Sequence, residues 1–190
     1  FQVLNQKMLS AAYQWHNYGR ATIGNRADIE RVPLPKLRDF YRKYYQPDNA
    51  MVVVAGSFDR QKAIALVNKY FGAIPRPERT LPATYTEEPA QDGEREVVLR
   101  RVGEVPFTAA MYHIPAASHP DYAAMSLLAE ILGDSPSGRL YQALVESQLA
   151  TDVGGSALAR FDPGMVAFYT VVPQEAKLEA ARQGLLQVVE

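Results

Sequence analysis

Leu4, Met8 and Ala11 or Ala12 recur at helical spacing and predict a helix from Phe1 to about Tyr13. The periodicity then breaks, and Trp15–Val32, punctuated by Gly19 and Gly24, reads as a loop. Pro35 opens a short helix in which Leu37, Phe40, Tyr41 and Tyr44 fill one face, and Pro47 ends it. Asn49–Gly56 is a continuous apolar run with three valines in a row, the pattern of a strand buried on both faces. Asp59 is placed to cap the next helix, whose stripe is Ala63, Val67, Tyr70 and Phe71, with Gly72 at the C′ position. Pro75–Asp92 holds four prolines and four acidic residues and reads as an extended linker.

Beyond the linker, two strands are predicted at Glu96–Val102 and Phe107–Ile114. A helix starts near Ser118, carries Ala124, Leu127, Leu128 and Ile131, and stops at Gly133. A second starts at Ser135-Pro136 with Leu140, Leu144 and Gln148 along one side. Strands at about Thr151–Ala159 and Met165–Val172 are split by the turn signature Asp162-Pro163-Gly164. Gln174–Val189 closes as an amphipathic helix. The order β-β-α-α-β-β-α implies an α+β fold in two layers, a mostly antiparallel sheet with helices on one face.

Composition narrows the function classes. The 190 residues carry 20 basic and 21 acidic side chains, a net charge of −1. A nucleic-acid binder needs a basic face to displace counterions, so that class is disfavoured. The longest apolar stretch, around Met165–Val172, is far shorter than a bilayer span, so no membrane partner is expected. With no cysteine, disulfides, thiolate metal sites and a Cys nucleophile are excluded. Phe1 opens the chain without an initiator Met, the mark of an excised piece.

A self-contained active site is not legible. The histidines are His16, His113 and His119, and no His-x-x-Glu-His pair exists to hold zinc. His113 reads as a strand-end and His119 as a helix-start residue. Glu87-Glu88 reads as a solvated charge cluster in the linker, and Gly154-Gly155-Ser156 as strand flexibility or close backbone approach rather than a phosphate loop. Arg31, Lys36, Arg38, Arg42 and Lys43 read as a solvated helix face. Arg139 is expected to cap or salt-bridge a helix end and Tyr141 to pack in the core. Asn49 is expected to tie its turn to a neighbouring segment such as the loop around Tyr18 and Gly24.

Longer strings carry more information. They are Ala11-Ala12-Tyr13-Gln14-Trp15-His16-Asn17-Tyr18-Gly19, then Gly24-Asn25-Arg26-Ala27-Asp28-Ile29-Glu30. Next comes Phe40-Tyr41-Arg42-Lys43-Tyr44-Tyr45-Gln46-Pro47-Asp48-Asn49-Ala50, leading into the valine run and Gly56. Tyr70-Phe71-Gly72-Ala73-Ile74-Pro75 follows, and after the linker Ile131-Leu132-Gly133 to Arg139-Leu140-Tyr141 and Leu144. In this order and spacing the series resembles the insulinase/pitrilysin family of zinc metallopeptidases over nearly the whole chain.

The resemblance implies two related α+β domains joined by a linker in a clamshell. Residues 1–76 would be the C-terminal part of the first peptidase-like domain, 77–93 the Pro-rich linker, and 94–190 the N-terminal part of the second. The family's zinc ligands and catalytic Glu precede the Ala-Ala-Tyr string, so the resemblance implies that no catalytic or metal residue lies in this chain. Zinc is expected only in catalytic parents, and His16 matches an element that is not a ligand. The resemblance also implies a substrate-binding Arg and Tyr after the Leu140-Tyr141 segment, but Leu144–Val153 has neither. The function expected is therefore a non-catalytic portion of a zinc metalloendopeptidase acting in an enclosed chamber; the alternative is a peptide-binding or scaffold member bracing a catalytic partner. Expected partners are a peptide or protein substrate and a catalytic half or subunit of the same family. A domain cut before its final elements also exposes sheet edge and apolar helix face, so self-association is expected. Analogy with exported bacterial relatives favours a periplasmic or exported location.

Overall fold

The computed structural model describes residues 2–83, 85–103 and 105–190. The chain forms two compact units, one of residues 1–20 with 88–190 and the other of residues 21–87.

In the first unit, α1 (Gln2–Ala12) leads into a single 3-10 turn at Asn17–Gly19. A three-stranded antiparallel sheet follows from β1 (Phe107–Ile114), β2 (Asp152–Ala157) and β3 (Gly164–Val171), in the order β1-β3-β2. Between β1 and β2 lie α5 (Tyr122–Gly133) and one π-helical turn at Tyr141–Val145; α6 (Leu178–Val189) closes the unit. The register pairs Ala110 with Phe168 and Ile114 with Gly164 on one side of β3, and Gly155 with Phe168 on the other.

Alternation along the strands sends Ala110 and Ile114 of β1, Val153 of β2, and Val166 and Phe168 of β3 into a common core. Ala129 and Leu132 of α5, Leu144 of the π turn and Leu185 of α6 close over it. Helices therefore cover one face of the sheet, the α+β arrangement expected. α5 lies flush on β2 because Gly133 meets Gly155. A side-chain carbon at Gly155 would stand 2.8 Å from the Ala129 carbonyl oxygen, so the glycines serve close backbone approach.

The second unit holds α2 (Arg26–Arg31), α3 (Leu34–Tyr44) and α4 (Arg60–Phe71). α2 lies in a stretch expected to be loop. Asn25 caps it, its side chain accepting from the Ala27 N–H, and Asp28 stands in its first turn. Asp59 caps α4 as expected by accepting from the Lys62 N–H. Gly72 ends that helix at the C-cap in right-handed geometry, φ −65°, rather than at a left-handed C′. On α3 the rings of Phe40 and Tyr44 lie 4.6 Å apart and those of Tyr41 and Tyr45 4.9 Å, the i,i+4 neighbours of a helix surface.

Several expectations are corrected. Asn49–Gly56 is not a buried strand: Met51 is 87% exposed and Val53 77%. A strand buried on both faces needs partner strands and covering layers, and no described residue pairs with this run. Glu96–Val102 likewise forms no ladder. The segment predicted from Ser135-Pro136 becomes helical only at Arg139, although Leu140 and Leu144 are buried as its spacing implied. Arg139 is exposed and makes no ion pair with a described residue, whereas Tyr141 packs partly buried against the core. Asn49 donates from Nδ2 to the Tyr44 carbonyl at 2.9 Å, so its tie is to the end of α3 and not to the loop near Tyr18.

Candidate functional site

Two features of the first unit combine polar chemistry with shape. One is a groove of about 730 Å³ beside β1. Met8 of α1, Val97 and Arg100 of the following segment, Thr108 and Tyr112 of β1, and Leu186 of α6 are among its lining residues. β1 is an edge strand, and among the described residues no strand pairs with its outer side. Its backbone groups from Thr108 onward therefore present a template for a further strand. Tyr112 donates its hydroxyl to Glu190 Oε1 at 3.0 Å; burial and then the Glu190 carboxylate push the phenol up to about 12, so it stays a neutral donor.

The other feature is a cluster where the residues after α1 meet the β2–β3 turn. Tyr13 is 4% exposed, packs edge-on against His113 with ring centroids 5.1 Å apart, and donates to the Pro163 carbonyl at 2.9 Å. Burial, reinforced by Tyr18 and Glu88, raises its pKa to about 12 despite the nearby Arg160. The Tyr18 N–H donates to His16 Nδ1 at 3.2 Å, which leaves the ring proton on Nε2, 3.2 Å from Asp162 Oδ2. The Asp162 N–H donates to the Tyr18 hydroxyl at 3.2 Å. Both nitrogens of the buried His16 are thus engaged. A general base needs a free nitrogen facing its substrate, and here a backbone N–H occupies it.

Glu88 completes this cluster and corrects the expectation of a merely solvated pair. Its Oε1 accepts the Gln14 N–H at 2.6 Å, and its Oε2 accepts those of Trp15 and His16 at 2.8 Å. Desolvation raises its pKa, but the three backbone hydrogen bonds, helped by His113, outweigh it and hold the carboxyl below its ordinary value. Sequence reasoning missed this because the donors are 72 to 74 residues away, and backbone N–H groups carry no side-chain signature.

The residues do not fit a catalytic zinc. His16 is spent on Asp162 and Tyr18, and His113 Nε2 donates to the Ala12 carbonyl at 3.2 Å. His119 Nδ1 accepts from the Asp121 N–H at 3.2 Å, before α5. Among the described residues no three His, Asp or Glu side chains gather as ligands. The open β1 edge and the Glu88 cluster can bind and position chain; neither offers a nucleophile with a base.

The family description "Peptidase M16 inactive domain" matches residues 31–190. The zinc protease PqqE of Helicobacter pylori is 30% identical over 187 residues, covering 97% of this chain and 42% of that protein. A probable mitochondrial-processing peptidase subunit beta of Schizosaccharomyces pombe is 25% identical, covering 94% of this chain and 41% of its own length. The crystal structure of a protease from Helicobacter pylori superposes with a TM-score of 0.88 at 30% identity, covering 96% of this chain and 45% of that one. The peptidase M16 inactive domain of Pseudomonas fluorescens shares the fold, with a TM-score of 0.80 at 20% identity, covering 98% of this chain and 46% of that one. The chain thus spans less than half the length of these relatives. With an inactive-domain match across residues 31–190 and a zinc protease 30% identical over nearly its whole length, the chain belongs to the peptidase M16 family of zinc proteases, the insulinase/pitrilysin type.

Proposed function

We propose that this chain is a non-catalytic portion of a zinc-dependent metalloendopeptidase, contributing chamber wall and a strand edge to which an extended peptide adds. The observation that carries the reading is the outer side of β1 from Thr108 onward, with which no strand among the described residues pairs, beside the groove, together with three histidines each bonded elsewhere. An extended peptide satisfies its backbone on such an edge while its side chains find alternate pockets. The zinc that activates water belongs to the catalytic part of such a protein, and this chain supplies positioning only. Residues 1–76, 77–93 and 94–190 are read as the end of the first domain, the linker and the start of the second. A periplasmic or exported location rests on analogy with exported bacterial relatives.

A second reading is a scaffold member that braces a catalytic partner of the same family. The Leu144–Val153 stretch supports it, since it carries neither the Arg nor the Tyr that the family resemblance implies there. Exposed apolar residues of α3 such as Leu37 and Phe40 give a face for such a partner or for self-association.

The test is hydrogen exchange of the chain with an unstructured peptide of about ten residues, with zinc added in a parallel sample. Slowed exchange at alternate β1 amides, with the peptide left intact, is expected. No slowing on β1 at millimolar peptide, or cleavage that follows the chain through purification, overturns the reading.

A further inference from the structure

The chain leaves the first unit after Arg20 and returns to it at Glu88. Departure and return meet at one point. Glu88, the first residue back, takes the N–H groups of Gln14, Trp15 and His16, part of the last turns before departure. Three successive N–H groups converging on one anion form a compact cradle whose strength depends on the carboxylate charge. The cradle is itself held from behind. His16 is tied to Asp162, Tyr18 to the Asp162 N–H, and Tyr13 to the Pro163 carbonyl. A further bond from Arg95 to the Ala11 carbonyl, 2.5 Å long, fixes the returning chain seven residues on.

We propose that Glu88 is a latch that closes the base of the 21–87 excursion, and that breaking it opens residues 14–20 and the linker up to Glu88 locally while the sheet stays folded. The linker is then not free along its whole length. It is pinned at Glu88 to the first unit, and at Arg79 by two hydrogen bonds to Asp48 of the second. Segments opened in this way come from regions of few buried contacts, and residues 77–87 contain no buried residue among those described.

The groups surrounding the carboxylate set how the latch answers acid. Tyr13 and His16 lie on the cradle side, His113 at the end of β1, Arg160 and Asp162 in the β2–β3 turn, and Glu87 next in the chain. His113 favours the ionised carboxylate, and the three N–H groups favour it further. The latch therefore holds above the ordinary carboxylate range and lets go as the pH falls below 4.5.

Trp15 is the single tryptophan and donates its own N–H to Glu88, so it reports on the latch directly. The experiment compares the whole chain with Glu88→Ala and Glu88→Gln, using Glu87→Gln as control. Amides of Gln14, Trp15 and His16 should exchange about tenfold or more faster in Glu88→Ala, those of β3 should not change, and Glu87→Gln should match the native chain. The Trp15 emission of the native chain should shift as the pH is taken from 6 to 3 while far-ultraviolet dichroism holds, and that shift should vanish in Glu88→Gln. Unchanged exchange at residues 14–16 overturns the proposal, as does an increase of equal size across β3. The acid titration of the native chain decides the matter even where Glu88→Ala fails to fold: a Trp15 shift that accompanies loss of dichroism overturns the latch.

Discussion

Both units contain helices with apolar stripes, those of the first being the more apolar, yet among the described residues only the first has an interior. In the first, Leu140, Val172 and Leu185 are fully buried, and Phe168 and Leu144 are 1% exposed. In the second, no described residue is buried, and Leu37, Phe40, Phe71 and Val54 are each about half exposed. A helix stripe makes a core only where a second layer, helix or sheet, closes over it. The first unit has β1, β3 and β2 for that purpose, whereas the valine run of the second finds no strand to pair with.

The largest expected effect breaks the comparison directly. Phe168→Ala should destabilise the chain by about 3–5 kcal/mol, by lost transfer energy and the cavity left among Ala129, Val153 and Leu185. Phe40→Ala, half exposed on α3, should cost less than about 1 kcal/mol. Urea melts followed by far-ultraviolet dichroism measure both. Equal costs would show that the second unit has an interior of its own.

A smaller effect sharpens the role of Tyr13 in the well-packed unit. Its folded pKa of about 12 lies above its ordinary value of 10.0, so the folded state holds the phenol proton more tightly than the unfolded chain. The linked stability is full below pH 10 and is lost as the pH rises through about 12. Tyr13→Phe should lose about 0.5–1.5 kcal/mol at neutral pH with its bond to Pro163. The difference between variant and native chain should shrink between pH 10 and 12, as read from urea midpoints. A constant difference would remove Tyr13 as its source; Tyr112, also raised, is common to both proteins.

The smallest effect lies in the open unit. Asn49 donates to the Tyr44 carbonyl in an exposed turn, where water can replace it. Asn49→Ala should therefore cost about 0.5 kcal/mol or less, by the same melts. A loss above 2 kcal/mol would mean that the turn is buried in solution.

Legibility follows the range of the interaction. The Asp59 cap, the Leu140 and Leu144 stripe and the Asp162-Pro163-Gly164 turn were readable, because their causes lie within four residues. The short α2 escaped because six residues offer too little periodicity, although the Asn25 cap marked its start. At the candidate site the roles of Glu88 and His16 were not readable, because their partners are backbone N–H groups and a carboxylate 146 residues away.

By itself the sequence determined the longer helices α1, α3, α4, α5 and α6, the strands of the β2–β3 hairpin, the α+β class and the family, since caps, periodicity and turn residues act locally. Tertiary structure alone decided whether an apolar run becomes a strand. Val52–Val54 and Glu96–Val102 have the composition for it, but a strand exists only where another backbone accepts its hydrogen bonds. It also decided what Glu88 does, because a charge in a Pro-rich segment is solvated until the fold brings three N–H groups to meet it.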